Sequence, residues 1–405
     1  MNNPNVLIVS ESPFSHQNGY GFALHSLFLK WDPHFLFQIC SVGAYSNVQP
    51  SNDASAGLAW QEGINSGGTR NRIKSLLGLA AGWNGQYSER WLRRALGKWR
   101  PDVVYSFAFS TQTVEYAYWV ATLYQIPFVA HITDLVPIDS DSKVVQALSN
   151  AQNVLCATSD LANLLTAVTG RDCIYFPPIG CSVPTRANRV SHSISLDSDF
   201  TIVYLGTIHS PDYYVTNYWS LKEISEAVIS LAKDGLRCRM EIYGSAAEPS
   251  YAMSLADGQN IFYCGVPSKE DGQRVMQEAG CLLIPLSFNP KALEAMKYCY
   301  SSKLPDSLAS GTPTLIYAPP EAAISKLCMD NNLGFLVADQ SLQAIKSMLR
   351  YLVCNPEAAI SSALIHAKFA GIHMSSESLA CRLKEILSHA CVTSSNTRTQ
   401  NIFVK

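Results

Sequence analysis

Short apolar runs alternate along this chain with longer segments in which apolar residues recur every three to four positions. The runs read as strands buried on both faces of a parallel sheet, and the longer segments as helices that cover it. In the first half the pattern predicts strands at Val6–Val9, Phe35–Ser41, Val103–Phe107, Phe128–Ile132, Asn153–Ala157 and Ile174–Phe176. Helices are expected at Phe22–Trp31, Ser88–Lys98, Gln112–Tyr124, Ser142–Asn150 and Asp160–Thr169. The stretch PTRANRVSHSISLDSD carries no apolar pair, and the alternation restarts after it. Strands follow at Phe200–Leu205, Arg239–Tyr243, Ile261–Cys264, Cys281–Pro285 and Thr314–Ile316. The helices between them are Trp219–Asp234, Lys269–Ala279, Lys303–Ser310, Pro320–Asn331 and Ser341–Val353, with a last one at Ser376–His389. This is the grammar of two doubly wound α/β domains, with ligands expected outside the carboxyl ends of the strands. The boundaries fall at 1–185 for the first domain, 186–199 for the linker and 200–375 for the second domain. A helix at 376–392 packs back on the first domain, and a polar tail covers 393–405.

Composition narrows the picture. A chain of 405 residues, 47% hydrophobic and 15% charged, can bury two sizeable cores and is not a disordered polypeptide. Thirty Lys and Arg against thirty-two Asp and Glu exclude a strongly basic nucleic-acid binder. The twelve cysteines form no CxxC pair and no zinc-finger spacing, which fits reduced core thiols in the cytoplasm. The opening MNNPNVLIVSESPF has neither the basic region nor the long apolar stretch of a signal peptide. The most apolar segment, Tyr105–Ala130, is split by polar turns and does not make a membrane span. One local feature stands apart. Between residues 70 and 100 there are eight basic side chains (Arg70, Arg72, Lys74, Arg90, Arg93, Arg94, Lys98, Arg100) and a single acid, Glu89. Such a stretch is either a solvated helix face, a peripheral contact with the anionic inner face of a membrane, or a seat for a phosphate-bearing acceptor.

Three segments carry candidate chemistry. The loop Glu11–Gly21 follows the first strand, and its Gly19 and Gly21 allow close backbone approach at the start of a helix, where an anion is favoured. The GxGxxG dinucleotide fingerprint is absent. His16 and Tyr20 lie in the same loop. The segment VAHITD ends a predicted central strand, which places His131 and Asp134 where a doubly wound fold builds its sites. The third segment, YSSKLPDSLASGTPTL, is a polar turn, a short helix stopped at Gly311, and a strand. Ser302 and Lys303 at the helix start suit phosphate oxygens, and Asp306, one turn on, suits a ribose diol. No carboxylate or histidine cluster has metal-ligand spacing.

Taken in order, these pieces resemble GT-B fold glycosyltransferases, in particular those like family 4. Lys303–Thr312 is similar to that family's "K-x-x-E-Y-L-A-x-G-x-P" stretch, and NVLIVSESPF with Gly19 and Gly21 to its first strand and glycine loop. AHITD, CATSD with FPPIGC, IVYLGTI, MEIYGSA, NIFYCGVPSKED and CLLIPLSF resemble its successive strands and turns, so that the likeness spans residues 5–375. It implies two Rossmann-like domains facing a central cleft. It also implies a retaining, metal-independent, cofactor-free hexosyl transfer from a nucleotide-diphosphate sugar to an acceptor hydroxyl. The acceptor class (glycan, lipid-linked or small molecule) stays open. The donor would touch Gly19, Gly21, Gly206, Thr207, Ser302, Lys303, Leu304 and Asp306. His16 and Tyr20 would lie on the acceptor side, with His131 and Asp134 at the reaction. Two departures stand out. Tyr298 occupies the place of the first acid of the family's Glu-x7-Glu pair, and Thr207 follows Gly206 where many members carry Arg. They favour an alternative in which the chain binds a sugar nucleotide, or scaffolds a partner transferase, without catalysis.

Overall fold

The computed structural model describes residues 3–41, 48–51, 54–55, 57–61, 88–134, 143–182, 199–212, 217–246 and 248–402. Side chains of residues 60, 61 and 394–402 lie outside that description, as do most of the predicted linker and residues 70–87 of the basic stretch.

The chain divides into two compact units, Met1–Gly180 with Ser376–Lys405, and Cys181–Ser375. The first is built on strands β1 (Val6–Ser10), β2 (Leu36–Ser41), β3 (Gly57–Gln61), β4 (Val103–Ala108), β5 (Phe128–Ile132), β6 (Asn153–Cys156) and β7 (Cys173–Tyr175). All pair in parallel, in the order β3-β2-β1-β4-β5-β6-β7. Helices α1 (Gly19–Leu27), α2 (Glu89–Leu96), α3 (Thr111–Tyr124), α4 (Lys143–Ser149) and α5 (Ser159–Thr169) cover it, together with the C-terminal helix Ser376–Ile402. One core cluster joins Val6, Ile8, Leu24, Phe28, Tyr105 and Val129 with Leu379, Leu383 and Leu387 of that last helix. Nearly every residue of β1, β2, β4 and β5 is buried, which explains why these strands read as unbroken apolar runs.

The second unit repeats the scheme. Its strands β8 (Phe200–Leu205), β9 (Cys238–Tyr243), β10 (Ile261–Gly265), β11 (Cys281–Pro285), β12 (Thr314–Tyr317) and β13 (Phe335–Val337) pair in parallel in the order β10-β9-β8-β11-β12-β13. Helices α6 (Tyr218–Lys233), α7 (Pro249–Leu255), α8 (Lys269–Glu278), α9 (Pro290–Met296), α10 (Leu304–Ala309), α11 (Ala323–Asn331), α12 (Leu342–Cys354) and α13 (Pro356–His373) flank the sheet. Both sheets are doubly wound, as the hydrophobic pattern predicts.

In each sheet the strand order reverses once, between β1 and β4 in the first unit and between β8 and β11 in the second. Helices on either side of such a point leave on opposite faces, so the carboxyl ends of the two strands open into a crevice. This topology locates the candidate sites.

Candidate functional site

At the reversal in the second unit, β8 ends at Leu205 and the chain turns through Gly206-Thr207-Ile208-His209. That turn is held tightly. Gly206 N donates to Tyr243 O (2.9 Å) and Ile208 N to Ser245 O (2.7 Å). The Thr207 carbonyl accepts from Tyr204 Oη (2.8 Å) and from Asn217 Nδ2 (3.2 Å), and Asn217 Nδ2 also meets Tyr204 Oη. Neither glycine at this point could be replaced. A Cβ on Gly206 would overlap Lys303 Cε and lie 2.6 Å from Tyr204 Oη, and a Cβ on Gly244, at φ +138°, would overlap the Gly206 carbonyl. Sequence reasoning named Gly206 but missed Gly244, Tyr204 and Asn217. The signal for Gly244 was its place right after a strand beside β8.

Lys303 therefore reaches this turn from the start of α10, with its alkyl arm laid across Gly206. Its amine has no hydrogen bond or ion pair among the described residues, and burial pulls its pKa below the ordinary lysine value. His209 also reaches solvent here. Its pKa is lowered, by partial burial first and by the charge of Lys303 second. Gly206, Thr207, His209 and Lys303 are thus brought together.

The rest of the third sequence segment behaves differently. Helix α10 has only six residues. Its first N–H, of Leu304, donates to Ser301 O (3.1 Å), and Pro305 has none to give. The expected cradle of helix N–H groups is therefore largely spent, leaving Lys303 as the cation at this end. The Leu304 side chain is buried, and Ser302 is exposed. Asp306 accepts from Ser182 N (2.6 Å) and Ser182 Oγ (3.0 and 3.2 Å), so both of its oxygens anchor the strand-like segment at Cys181–Ser182. Nothing in the sequence paired Asp306 with a residue 124 positions away.

At the reversal in the first unit the groups are acidic and aromatic. Glu11 follows β1, is 2% exposed, and its Oε1 accepts from Ser110 Oγ (2.7 Å), Ser110 N (3.0 Å) and Phe109 N (3.3 Å) at the start of α3. Burial outweighs these hydrogen bonds and raises its pKa to about 7. Sequence analysis placed Glu11 in the loop without giving it a role; a carboxyl directly after a fully buried strand was the available signal. Tyr20 packs on Phe109 with ring centroids 4.6 Å apart, and its hydroxyl donates to Asp134 Oδ2. Asn18 caps α1, its Oδ1 accepting from Gly21 N (2.8 Å).

The two glycines of this loop differ. Gly21 packs against the Ser15 backbone, where a Cβ would overlap the carbonyl, whereas Gly19 faces open space. His16 is exposed and stacks on His25 at 4.2 Å, and burial with the charge of His16 lowers the His25 pKa to about 4.

His131 is placed at the carboxyl end of β5, but inside the core. It is 0% exposed, with Nδ1 on Tyr105 Oη (2.6 Å) and Nε2 on the Phe176 carbonyl (3.0 Å), and burial lowers its pKa to about 3. A neutral ring with both nitrogens engaged offers nothing to a ligand in this conformation, which departs from its expected contact with a sugar. The two carboxyl-end histidine and aspartate positions thus separate, His131 inward and Asp134 toward Tyr20. Among the described residues no group of His, Cys, Asp and Glu could hold a metal ion, and no helix is long and apolar enough to cross a membrane.

Two doubly wound units, each with its strand reversal at a candidate site, define the GT-B type of fold. Solved structures of that type align with nearly the whole chain. An Anabaena protein, HepE, crystallised in complex with UDP, superposes with a TM-score of 0.65 over 95% of this chain and 100% of its own, at 11% identity. A glycosyltransferase from Rickettsia africae gives 0.66 over 96% and 99%, at 12% identity. Sucrose-phosphate synthase from Thermosynechococcus elongatus gives 0.62 over 97% and 100%, also at 12%. HepE has further been crystallised with UDP and glucose and with UDP-glucose. No family model matches the sequence, and no curated protein matches it significantly.

Proposed function

We propose that this protein is a glycosyltransferase that takes a sugar from a nucleotide-diphosphate sugar held by the second unit. The observation that carries the reading is Lys303, a lysine ammonium with no partner among the described residues, laid over Gly206 at the strand reversal. An unpaired ammonium in a partly buried site is costly, and a diphosphate is the ligand whose charge and spacing would offset that cost. The crystallised ligands of HepE, which shares the fold, support the same ligand class. Gly206, Thr207 and Ser302 lie on the path of the phosphates, and Asp306 orders the segment beneath the ribose. The family resemblance implies retention of configuration, and the leaving phosphate would then assist the acceptor on the same face of the sugar. In the first unit Tyr20 and Asp134, with His16 of the same loop, take the acceptor hydroxyl, while His131 positions the end of β5. Neither metal nor cofactor takes part. A cytoplasmic location, with contact between Arg90, Arg93 and Arg94 and an anionic membrane, belongs to the same proposal and is checked by salt-dependent vesicle binding.

The second reading, a silent binder, is favoured by His131, whose ring is wholly engaged in the core. A thermal-shift screen against UDP-, GDP- and ADP-sugars tests the shared step, since a ligand of the native state raises its stability. Donor hydrolysis then separates the readings: slow release of free sugar supports the transferase, and tight binding without turnover supports the silent binder. No shift with any nucleotide sugar overturns both.

A further inference from the structure

Lys303 and His209 come from different elements, yet the fold sets them at one spot. The Lys303 arm crosses Gly206, and His209 stands three residues on, in a turn whose backbone is fixed by Tyr204, Asn217, Tyr243 and Ser245. Neither the amine nor the imidazole has a hydrogen-bond or ion-pair partner among the described residues. The Lys303 charge is felt at His209, so the two side chains share one neighbourhood. A fixed turn backbone of this kind holds the base of the His209 side chain beside the Lys303 arm, as a site for a doubly charged anion needs.

We infer that His209 is a second phosphate ligand of the site, one that binds as the imidazolium and takes up a proton from solvent when a nucleotide-diphosphate sugar docks. The inference rests on the donor reading above. Partial burial first, and the Lys303 charge second, disfavour protonation of His209 in the absence of a ligand. A diphosphate reverses the sign of the local field, so the imidazolium becomes the favoured form. The other ionisable groups around the turn are Tyr204 on β8, whose phenol pKa is pushed up by burial, and Tyr251 on α7. Asp212, further along the same loop, accepts from Ser210 Oγ (3.5 Å), which also donates to Tyr251 Oη (3.4 Å). Lys303 thus adds to burial in keeping His209 neutral, and the ligand is the charge that would reverse it.

Calorimetry with UDP-, GDP- and ADP-glucose tests this, because both phosphates of these esters stay ionised from pH 6 to pH 8 and only protein groups can titrate. Titrations in two buffers of different ionisation enthalpy should show uptake of up to one proton per bound donor. Affinity should strengthen as pH falls, approaching tenfold per pH unit at its steepest. His209→Gln should abolish the uptake and flatten the profile at the weaker, high-pH affinity. His209→Lys should restore tight binding with no pH dependence. Donor binding without proton uptake, or uptake that survives in His209→Gln, overturns the inference and leaves the donor site standing. If none of the three donors binds at any pH, the donor reading itself fails and this inference with it.

Discussion

The two strand reversals share a topology and differ in everything attached to it. At β1 and β4 a buried carboxyl, Glu11, is met by three donors from the start of α3, and Tyr20 is tied to Asp134. At β8 and β11 two glycines clear the backbone, and a lysine and a histidine have no hydrogen-bond or ion-pair partner among the described residues. The first site is largely closed on itself: Glu11 Oε1 and the Tyr20 hydroxyl are met by protein groups, while Glu11 Oε2 and Asn18 Nδ2 are buried with no partner among the described residues. The second is open-handed, with a lysine and an imidazole that no described residue pairs. Topology supplies the place for a site, and the sign and satisfaction of the side chains decide what can occupy it.

The sharpest way to break the contrast is to fill the second site's backbone. Gly244→Ala puts a side chain at φ +138° into the Gly206 carbonyl, and should cost about 3 kcal/mol of stability by denaturant unfolding. Gly19→Ala, in the other site's loop, should cost less than about 1 kcal/mol, because nothing lies within 4 Å of the added methyl.

Glu11 gives the next effect, and its sign follows from burial. Its pKa in the folded protein is raised to about 7 from an ordinary 4.5, so the native state holds the proton more tightly than the unfolded chain. The group's favourable contribution is complete below pH 4.5 and is lost as pH rises through 7, by an amount on the order of 2–3 kcal/mol. Glu11→Gln should remove that slope. The Tm difference, mutant minus wild type, should therefore grow from pH 4.5 to pH 8, and a constant difference would show that Glu11 does not titrate as its burial dictates.

Lys303→Ala should weaken binding of a nucleotide-diphosphate sugar by about 2 kcal/mol while leaving nucleoside affinity unchanged. Equal losses for both ligands would remove Lys303 from the phosphates and erase the contrast. The smallest effect belongs to Asp306→Asn. The amide keeps an acceptor for Ser182 N but presents a donor toward Ser182 Oγ, at about 1 kcal/mol of stability. A loss of donor affinity much larger than this would show that the carboxylate serves the ribose as well as Ser182.

How much of this could be read from the sequence depended on what kind of interaction held each part. Buried parallel strands were legible because burial on both faces forces continuous apolar runs; Phe128–Ile132, Phe200–Leu205 and Cys281–Pro285 appear in the structure with the predicted bounds. The edge strands Cys173–Tyr175 and Ile261–Gly265 were read to within a residue of their bounds, while the edge strands Gly57–Gln61 and Phe335–Val337 were not. Phe335–Val337 has three residues and only one of them is buried, too few for a run to form. The missed helices share a cause: Pro249–Leu255, Pro290–Met296 and Pro356–His373 each begin with proline at the first helical position. A proline there is compatible with a helix, since its missing N–H would have no partner in any case, but in a sequence it reads as a break. In Pro356–His373 small apolar residues are also spread around the axis, which hides the helical period. In the candidate sites, chemistry carried by one residue type in one loop was legible, as with Lys303 and Gly206. Pairings across long separations were not: Asp306 with Ser182, and His131 with Tyr105 and Phe176, depend on the folded sheet to bring them together.

The route of the chain has one further consequence. Unit one is interrupted, with its segment up to Gly180 completed only by Ser376 onward, while Cys181–Ser375 forms a continuous insert. Leu379, Leu383, Leu387 and Ala390 are fully buried beside Val6, Leu24 and Trp31. During synthesis the amino-terminal portion therefore leaves the ribosome with one wall of its core still untranslated, and must wait through the making of nearly two hundred residues. The insert, complete in itself, is free to fold first. A protein whose beginning cannot finish folding until its end is made should depend on chaperones for its first half and not for its middle.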